Sequence, residues 1–241
     1  MKNFFYAKLT KVQKQKGKRI IHSVKVPIVA IFALIHQNTI TKLRIAKKAR
    51  KTKNERRLEI GPGMARIPGY ETLNIIPTPA TDYVGDATRR LPFPDETFDA
   101  IYASHILEHV PWYLVDQILK EWVRVLKPKG VMEIWVPDGL KIAKAFVEAE
   151  EAESKTFQSD GWYKFNETHD PAVWFNGRIF SYGDGTGRKK SENWHMSVFC
   201  ERLLYEKFQS NGLYKFEKLD RSQIRGYDHG WINLGVRGEK K

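Results

Sequence analysis

The chain has 241 residues, of which 41% are hydrophobic, and this fits a globular protein with one full core. No apolar run reaches the roughly 20 residues of a membrane-spanning helix, and the longest, residues 26–35, contains Pro27. Residues 1–6 lack the order of a secretory signal, and the single cysteine, Cys200, excludes an internal disulfide. We therefore expect a cytoplasmic protein of one domain with an appendage.

The appendage is strongly basic. Residues 1–57 hold seventeen Lys and Arg residues against one acid, Glu55, which gives them a formal net charge of +16. The whole chain has a net charge of +13, so the remaining residues together carry −3. With an apolar patch at residues 24–35, this arm favours an anionic membrane surface as its partner. The other interpretation is a helical arm packed on the domain or a second subunit, with solvated charges. Nucleic acid is a weaker candidate partner, because interleaved aromatic residues are missing.

From Arg57 onward, short apolar segments alternate with segments of helical periodicity. Between two of the strands, apolar residues recur at helical spacing from Leu114 to Leu126, and Pro128-Lys129-Gly130 is expected to end that helix. This alternation predicts a parallel sheet. The predicted strands are 58–60, 72–76, 83–84, 98–103, 131–136, 213–219 and 231–236, and the later helices are 140–152 and 198–208.

Turn or polar residues follow four of the predicted strands. They are Gly61-Pro62-Gly63, Asn74, Asp86 and Ser104-His105. With right-handed crossovers, ligands bind beyond the carboxyl ends of parallel strands, so we expect these residues to share one site. The glycines allow the backbone to approach a nucleoside closely, because glycine has no Cβ and tolerates a positive φ.

Five motifs occur in a fixed order along this part of the chain: Leu58-Glu-Ile-Gly-Pro-Gly63, Gly85-Asp86-Ala87, Phe98-Asp99, Ala103-Ser-His-Ile-Leu-Glu-His109 and Leu126-Lys-Pro-Lys-Gly130. Through them the chain resembles the class I S-adenosylmethionine (SAM)-dependent methyltransferases. The most similar group is type 11, small bacterial enzymes often encoded beside cell-surface polysaccharide genes. The resemblance covers residues 57–138 strongly.

The resemblance implies a Rossmann-like, doubly wound α/β sheet, mostly parallel with an antiparallel closing strand. It implies SAM as the cofactor. On this basis we divide the chain into a basic arm, residues 1–56, and a methyltransferase domain, residues 57–241, with a lid-like insertion at 153–195.

The resemblance also assigns cofactor-binding roles. The glycine turn contacts the methionine and ribose portions of SAM, Asn74 stands where the family has a ribose-binding acid, and Asp86 accepts from the adenine amino group. Glu59 orders the loop or binds the cofactor's amino group. The full implied set is Glu59, Gly61, Pro62, Gly63, Asn74, Asp86, Ala87 and Ser104.

Two departures qualify this assignment. Only 11 residues separate Gly63 from Asn74, which leaves little room for a full first helix. Arg66 stands where a nicotinamide-binding fingerprint has its third glycine, which argues against a dehydrogenase.

Methyl transfer from a sulfonium depends chiefly on positioning, and a hydroxyl acceptor gains further from a general base. The candidate catalytic residues are His105, His195 and Asp138, with His105 the first choice because it follows a strand end that faces the cofactor. His109 is interpreted as structural.

We expect no metal ion. His105-Ile-Leu-Glu108-His109 spells a zinc-peptidase motif, but it begins at a strand end rather than within a helix. Some methyltransferases bind a divalent ion through a Glu-x-x-Glu-His segment, and here His105 takes the first ligand position.

The leading hypothesis is a SAM-dependent O-methyltransferase that acts on a glycan or a lipid-linked polysaccharide precursor at the cytoplasmic membrane face. Lid residues Asn176, Arg178, Tyr182 and Asp184 suit a polar acceptor. The alternatives are an RNA methyltransferase that uses the basic arm and a non-catalytic binding protein that keeps the fold.

Overall fold

The computed structural model describes residues 36–49, 55–180 and 194–241. These residues build one seven-stranded sheet in the order β3-β2-β1-β4-β5-β7-β6. Neighbours from β3 to β5 pair in parallel, and β7 runs antiparallel between β5 and β6. The predicted fold class is thereby confirmed. The strands are β1 Arg57–Ile60, β2 Glu71–Asn74, β3 Tyr83–Val84, β4 Phe98–Ser104, β5 Leu126–Pro137, β6 Leu213–Leu219 and β7 Asn233–Lys240.

Helices follow mainly the later strands. Residues 61–70 connect β1 to β2 without a helix, as the short spacing predicted. A π-helical turn, His36–Thr41, comes first. The α-helices are α1 Lys42–Ala49, α2 Val115–Val125, α3 Gly139–Ala152, α4 Pro171–Phe180 and α5 Glu201–Ser210, and 3₁₀ turns lie at Leu107–His109, Trp112–Leu114, Thr156–Asp160, Arg221–Gln223 and Gly230–Ile232.

The boundary between α2 and β5 differs from the prediction. The helix ends at Val125, and Pro128-Lys129-Gly130 lies inside β5 instead of in a loop. The register of β4 against β5 shifts between Phe98 and Ala100, which accommodates these extra residues as an irregularity of the strand. The lysine Lys127, beside Pro128, pairs with Asp99 of β4 at 2.7 Å. The extension of β5 therefore keeps contact with its neighbour.

The insertion is more regular than the sequence indicated. Residues 171–180 form α4, in which Trp174 is fully buried. Asp160 holds this helix, because its Oδ2 accepts hydrogen bonds from Trp174 Nε1 and Arg178 Nε. A Cβ at Gly177 would overlap the Trp162 ring that packs there. Of the proposed lid residues, Tyr182 and Asp184 lie outside the described residues.

The edge of the sheet at β3 is covered by residues 36–49. Thr41 is buried, and its Oγ1 accepts a hydrogen bond from the Val84 amide at 2.9 Å. Arg44 donates to the Asp82 carbonyl at 2.6 Å. Covering an edge strand in this way blocks pairing with another chain. Residues 1–35, and with them most of the predicted basic arm, lie outside the described residues.

A buried ion pair fixes β1 against β2. Arg56 donates to Glu71 at 2.9 and 3.0 Å, and the Tyr83 hydroxyl of β3 donates to the same carboxylate at 2.6 Å. These hydrogen bonds connect β1, β2 and β3 at the end of the sheet opposite the glycine turn. Among the described helices, none has the length and apolar character needed to cross a bilayer.

Candidate functional site

A cavity of about 630 Å³ opens at the carboxyl ends of β1, β2 and β4. Its volume lies in the range of small-molecule sites. Seven of the predicted site residues line it: Glu59, Gly61, Pro62, Gly63, Asn74, Ser104 and His105. Of the four strand ends that were expected to share one site, those of β1, β2 and β4 thus lie around this cavity.

The glycine turn forms one wall of the cavity. Gly61 and Gly63 have φ angles of +73° and +62°, a conformation that other residues rarely adopt. The Gly61 amide donates to the Leu73 carbonyl at 2.9 Å, and a Cβ on Gly61 would overlap the Ile106 side chain. Glycine is thus required here both by φ and by space, and the turn leaves room for a ligand at the backbone.

Glu59 orders the loop that follows the turn. Its side chain is buried, and Oε2 accepts a hydrogen bond from the Ile67 amide at 2.8 Å. Burial raises the pKa of Glu59, and the Ile67 amide and the nearby Arg66 charge oppose this effect. Of the two roles considered for Glu59, loop ordering is thus visible in the structure.

The loop between β2 and β3 packs against the glycine turn. Asn74 lines the cavity, and its Oδ1 accepts from the Ile75 amide at 2.9 Å. The Thr78 hydroxyl donates to the Gly63 carbonyl at 3.0 Å. Arg66 holds Asp82 through two hydrogen bonds of 3.0 Å. Arg66, which stands where a dinucleotide fingerprint has its third glycine, thus holds the loop between β2 and β3 against the segment that follows the glycine turn.

Asp86 and Ala87 lie in a turn after β3 and outside the lining of the cavity. Asp86 Oδ1 accepts from the Thr88 amide at 2.9 Å, and Oδ2 accepts from Arg89 at 3.1 Å. The Ala87 carbonyl accepts from Trp122 Nε1 at 3.0 Å. These bonds organise the turn itself, so the structure does not bring the predicted adenine-binding pair together with the other site residues.

His105 stands at the end of β4 with a positive φ of 54°. Its Nδ1 lies 3.2 Å from Glu108 Oε1, and its Nε2 lies 2.9 Å from Asn233 Oδ1. Both oxygens are acceptors, so both hydrogen bonds exist together only when both ring nitrogens carry a proton. An imidazole held in this way has no lone pair with which to accept a proton. The geometry therefore favours His105 as a positioning group over the predicted general base.

The other two candidate bases lie outside the cavity lining. Asp138 caps α3, since its carboxylate accepts from the Leu140 and Lys141 amides. This is an ordinary N-cap arrangement, and we assign Asp138 a structural role. His195 lines a small recess with Glu108 instead, where burial, opposed by the Glu108 carboxylate, lowers the pKa of His195 to about 4.

Glu108 connects His105 with this recess. Burial alone would raise the pKa of Glu108, but the hydrogen bond from His105 and the positive charge of nearby histidines lower it to about 2. The carboxylate is therefore ionised at neutral pH, although the side chain is only 1% exposed.

The wall opposite the glycine turn comes from the segment before β7, which the sequence analysis missed. Arg225, Gly226, Tyr227 and His229 line the cavity. The Gly226 amide donates to the Tyr102 hydroxyl at 2.9 Å, which anchors the segment on β4. The only signal in the sequence is a cluster of glycine, aromatic and histidine residues at 226–231.

Arg225 anchors the segment before β7 to the sheet. Its guanidinium lies 4.8 Å from the Tyr102 ring centroid, and it donates to Tyr70 at 2.7 Å and to Glu133 at 2.6 Å. The His229 ring lies 3.9 Å from the His105 ring between centroids. Burial and the positive charge of His105 lower the pKa of His229 to about 3. A neutral imidazole therefore faces the cavity beside His105.

Comparison with known proteins places these features in a family context. Residues 36–134 match the family model described as a methyltransferase domain. A demethylmenaquinone methyltransferase of Lysinibacillus sphaericus is 43% identical over 56 residues, which are 23% of this chain and 23% of that protein. A sterol 4-C-methyltransferase, strm-1, of Caenorhabditis elegans is 35% identical over 71 residues, 30% of this chain and 21% of that protein.

The chain thus spans less than a quarter of the length of these curated relatives. Among solved structures, a SAM-dependent methyltransferase of Thermotoga maritima, described as a possible histamine N-methyltransferase, is 19% identical. The alignment covers 90% of this chain and 96% of that one, with a TM-score of 0.41.

Proposed function

We propose that this chain, of which residues 36–134 match the family model described as a methyltransferase domain, is a class I SAM-dependent methyltransferase that binds SAM in the cavity at the ends of β1, β2 and β4 and transfers its methyl group. The observation that carries the proposal is the turn from Gly61 to Gly63, which lines the cavity with its backbone in a positive-φ conformation and leaves open space at Gly63. A cavity of about 630 Å³ beside this turn fits a nucleoside cofactor. SAM would supply an already activated methyl on a sulfonium.

The residues of this chain would act by positioning. Gly61 and Asn74 face the cofactor, while His105 and His229 face the acceptor side. During transfer the bond between sulfur and the methyl carbon breaks as the bond from the acceptor forms, and positioning alone supplies much of such a rate enhancement. An acceptor hydroxyl would lose its proton to solvent, because His229, with a pKa of about 3, is too weak a base to hold that proton at neutral pH.

The acceptor we propose is a hydroxyl group of a glycan or of a lipid-linked polysaccharide precursor. Polar side chains on the acceptor side of the cavity, His109, Arg225 and His229, support a hydrogen-bonding acceptor. After β4 the chain reads Ser104-His105-Ile106-Leu107 and lacks the Asn-Pro-Pro-Tyr segment associated with amino methylation. The charge of +16 on residues 1–57 supports docking at an anionic membrane face.

The test of the cofactor is a calorimetric titration of the purified chain with SAM and with S-adenosylhomocysteine. We expect binding of both, weakened by Asn74→Ala because Asn74 lines the cavity. Asp86→Ala separates the two interpretations of that residue: lost affinity supports adenine binding, and unchanged affinity supports a turn role. Absence of heat with the folded wild-type chain would remove the proposal.

The acceptor is tested separately, by following S-adenosylhomocysteine formation with a cell-envelope glycan extract, with RNA and with an isoprenoid quinone fraction. Turnover with the glycan extract alone supports the proposed class. The quinone arm is included because one relative is named as a demethylmenaquinone methyltransferase. Turnover with RNA or quinone alone would replace the glycan as acceptor while leaving SAM-dependent transfer in place.

A further inference from the structure

Three potential metal ligands converge beside the cavity. Glu108 and His109 come from the 3₁₀ turn after β4, and His195 is the last residue of the insertion. One ligand atom of each lies within 4.8 Å of the others. Two ligand atoms of one cation lie at most about 4 Å apart, since metal bonds to nitrogen and oxygen are about 2 Å long, so side-chain shifts of about 1 Å would bring these three atoms onto one cation.

Both imidazoles are oriented by backbone carbonyls. His109 Nδ1 lies 3.2 Å from the Trp194 carbonyl, and His195 Nδ1 lies 3.0 Å from the Arg178 carbonyl. A carbonyl oxygen only accepts, so each Nδ1 carries the proton and each Nε2 presents a lone pair. Metal-binding histidines are typically oriented by this kind of second hydrogen bond.

The backbone holds the two segments together independently of the side chains. The Glu108 carbonyl accepts from the Met196 amide at 2.7 Å and from the Ser197 amide at 3.1 Å. The Ser197 hydroxyl also donates to the Val110 carbonyl at 2.5 Å. The three ligands therefore lie on a preformed frame, and a cation would not have to assemble it.

The carboxylate supplies an independent observation. Glu108 is buried, and its Oε1 is engaged by His105 at 3.2 Å. Its Oε2 has no hydrogen-bond partner among residues 36–49, 55–180 and 194–241. A buried carboxylate oxygen without a hydrogen-bond partner costs free energy of folding, and a cation bound there would remove that cost.

We propose that Glu108, His109 and His195 bind one divalent transition-metal ion, with Zn²⁺ as the best fit. Two imidazole nitrogens and one carboxylate oxygen suit Zn²⁺, whereas Mg²⁺ prefers oxygen ligands alone. Three protein ligands leave at least one coordination position open, as in catalytic zinc sites. His109 also lines the cavity, so the open position is next to the acceptor side.

This site differs from the one that the sequence argued against. The sequence placed His105 in the first ligand position of a Glu-x-x-Glu-His-like segment, and no metal was expected. In the structure, His105 is engaged by Asn233 and Glu108 instead, and His195 supplies the third ligand from 86 residues beyond His109. That third ligand could not be assigned from the spacing of the motif.

The experiment titrates the chelator-treated chain with Zn²⁺ alone, in the absence of SAM, by calorimetry and by metal analysis after dialysis. We expect one Zn²⁺ per chain. Glu108→Gln and His195→Gln should each weaken binding by more than about 100-fold, since loss of a group that only orients a metal ligand already costs about 10- to 100-fold. The control His169→Gln removes an exposed histidine that stacks on Tyr163 and should leave Zn²⁺ affinity unchanged.

Circular dichroism of each variant checks that it folds. If a variant does not fold, X-ray absorption of the zinc-loaded wild-type chain decides, and a shell with two imidazoles and a carboxylate oxygen supports the proposal. No Zn²⁺ binding by the wild-type chain, wild-type affinity in both folded variants, or a shell that contains sulfur would overturn it. Because SAM is absent throughout, failure here leaves the proposed methyl transfer untouched.

Discussion

The Nε2 atom of His105 lies 2.9 Å from the Oδ1 atom of Asn233, although the two residues are 128 positions apart in the chain. The orientation of this amide is set by its Nδ2, which donates to Asp228 Oδ1 at 2.5 Å. Asn233 therefore presents an oxygen, and not a nitrogen, to the imidazole. The contact joins the end of β4 to the start of β7 directly beside the cavity.

Replacement of Asn233 by alanine should destabilise the fold. The buried Nε2–H of His105 would lose its acceptor, and an unsatisfied buried donor costs about 1–3 kcal/mol. Urea unfolding measures the change. The matched control is Asn176→Ala, because Asn176 is exposed and donates only to the Ala172 carbonyl of its own helix. An equal decrease in the free energy of unfolding of the two variants would show that the hydrogen bond from His105 to Asn233 does not stabilise the fold.

Gly61→Ala should abolish cofactor binding, whereas Gly69→Ala should not. Both residues have a positive φ, +73° and +82°, so both substitutions carry a backbone strain of about 1–2 kcal/mol. Only at Gly61 does a Cβ overlap a neighbour, the Ile106 side chain, and narrow the cavity wall. Calorimetric titration with SAM compares the two. Loss of binding in both variants would assign the effect to strain alone.

The pair Arg56–Glu71 should matter far more than the neighbouring pair Arg57–Glu55. The first pair is buried, with side chains 10% and 5% exposed, and the second is 42% and 54% exposed. Glu71→Gln leaves a buried guanidinium without its counter-charge and should cost about 3–5 kcal/mol. Glu55→Gln should change the free energy of unfolding by less than about 1 kcal/mol. Chemical denaturation of both variants is the measurement, and similar costs would contradict the burial argument.

Acidification should destabilise the metal-free chain partly through His229. Burial, with help from the charges of His105 and Arg178 and against the pull of Glu108, lowers the pKa of His229 from 6.5 to about 3. Between these values the unfolded chain binds a proton that the folded chain does not. The free energy of unfolding therefore falls as pH falls through this window, by at most about 1.4 kcal/mol per pH unit for this group.

His229→Gln removes that contribution, so its free energy of unfolding should fall less steeply than the wild-type value between about pH 6 and about pH 4. Urea titrations in the presence of a chelator measure both slopes. Parallel slopes for the two proteins would mean that His229 already titrates normally in the folded chain.

The sequence predicted the half of the site that lies on consecutive parallel strands. Glu59 and Gly61 lie at the end of β1 and Asn74 is the last residue of β2, and parallel pairing alone brings such ends to one edge. The opposite wall was not predictable in this way. Arg225 and His229 come from a segment whose position depends on how β7 inserts between β5 and β6.

Helix α4 was missed for a related reason. Residues 171–180 contain Gly177, which is unfavourable inside a helix, and lack a strong helical pattern. The helix forms because Trp174 is buried and Arg178 is held by Asp160, contacts that depend on tertiary structure. Local sequence preference is overridden here by packing across the insertion.

The placement of Asn233 also bears on the order of folding. The glycine turn, β2 and β4 precede the segment that closes the cavity by more than about 100 residues, so that segment is synthesised well after them. A nascent chain that has emerged only as far as α3 would have a glycine turn with no opposite wall. Closure of so long a loop is slow compared with local pairing. Binding competence should therefore arise only when β7 enters the sheet between β5 and β6.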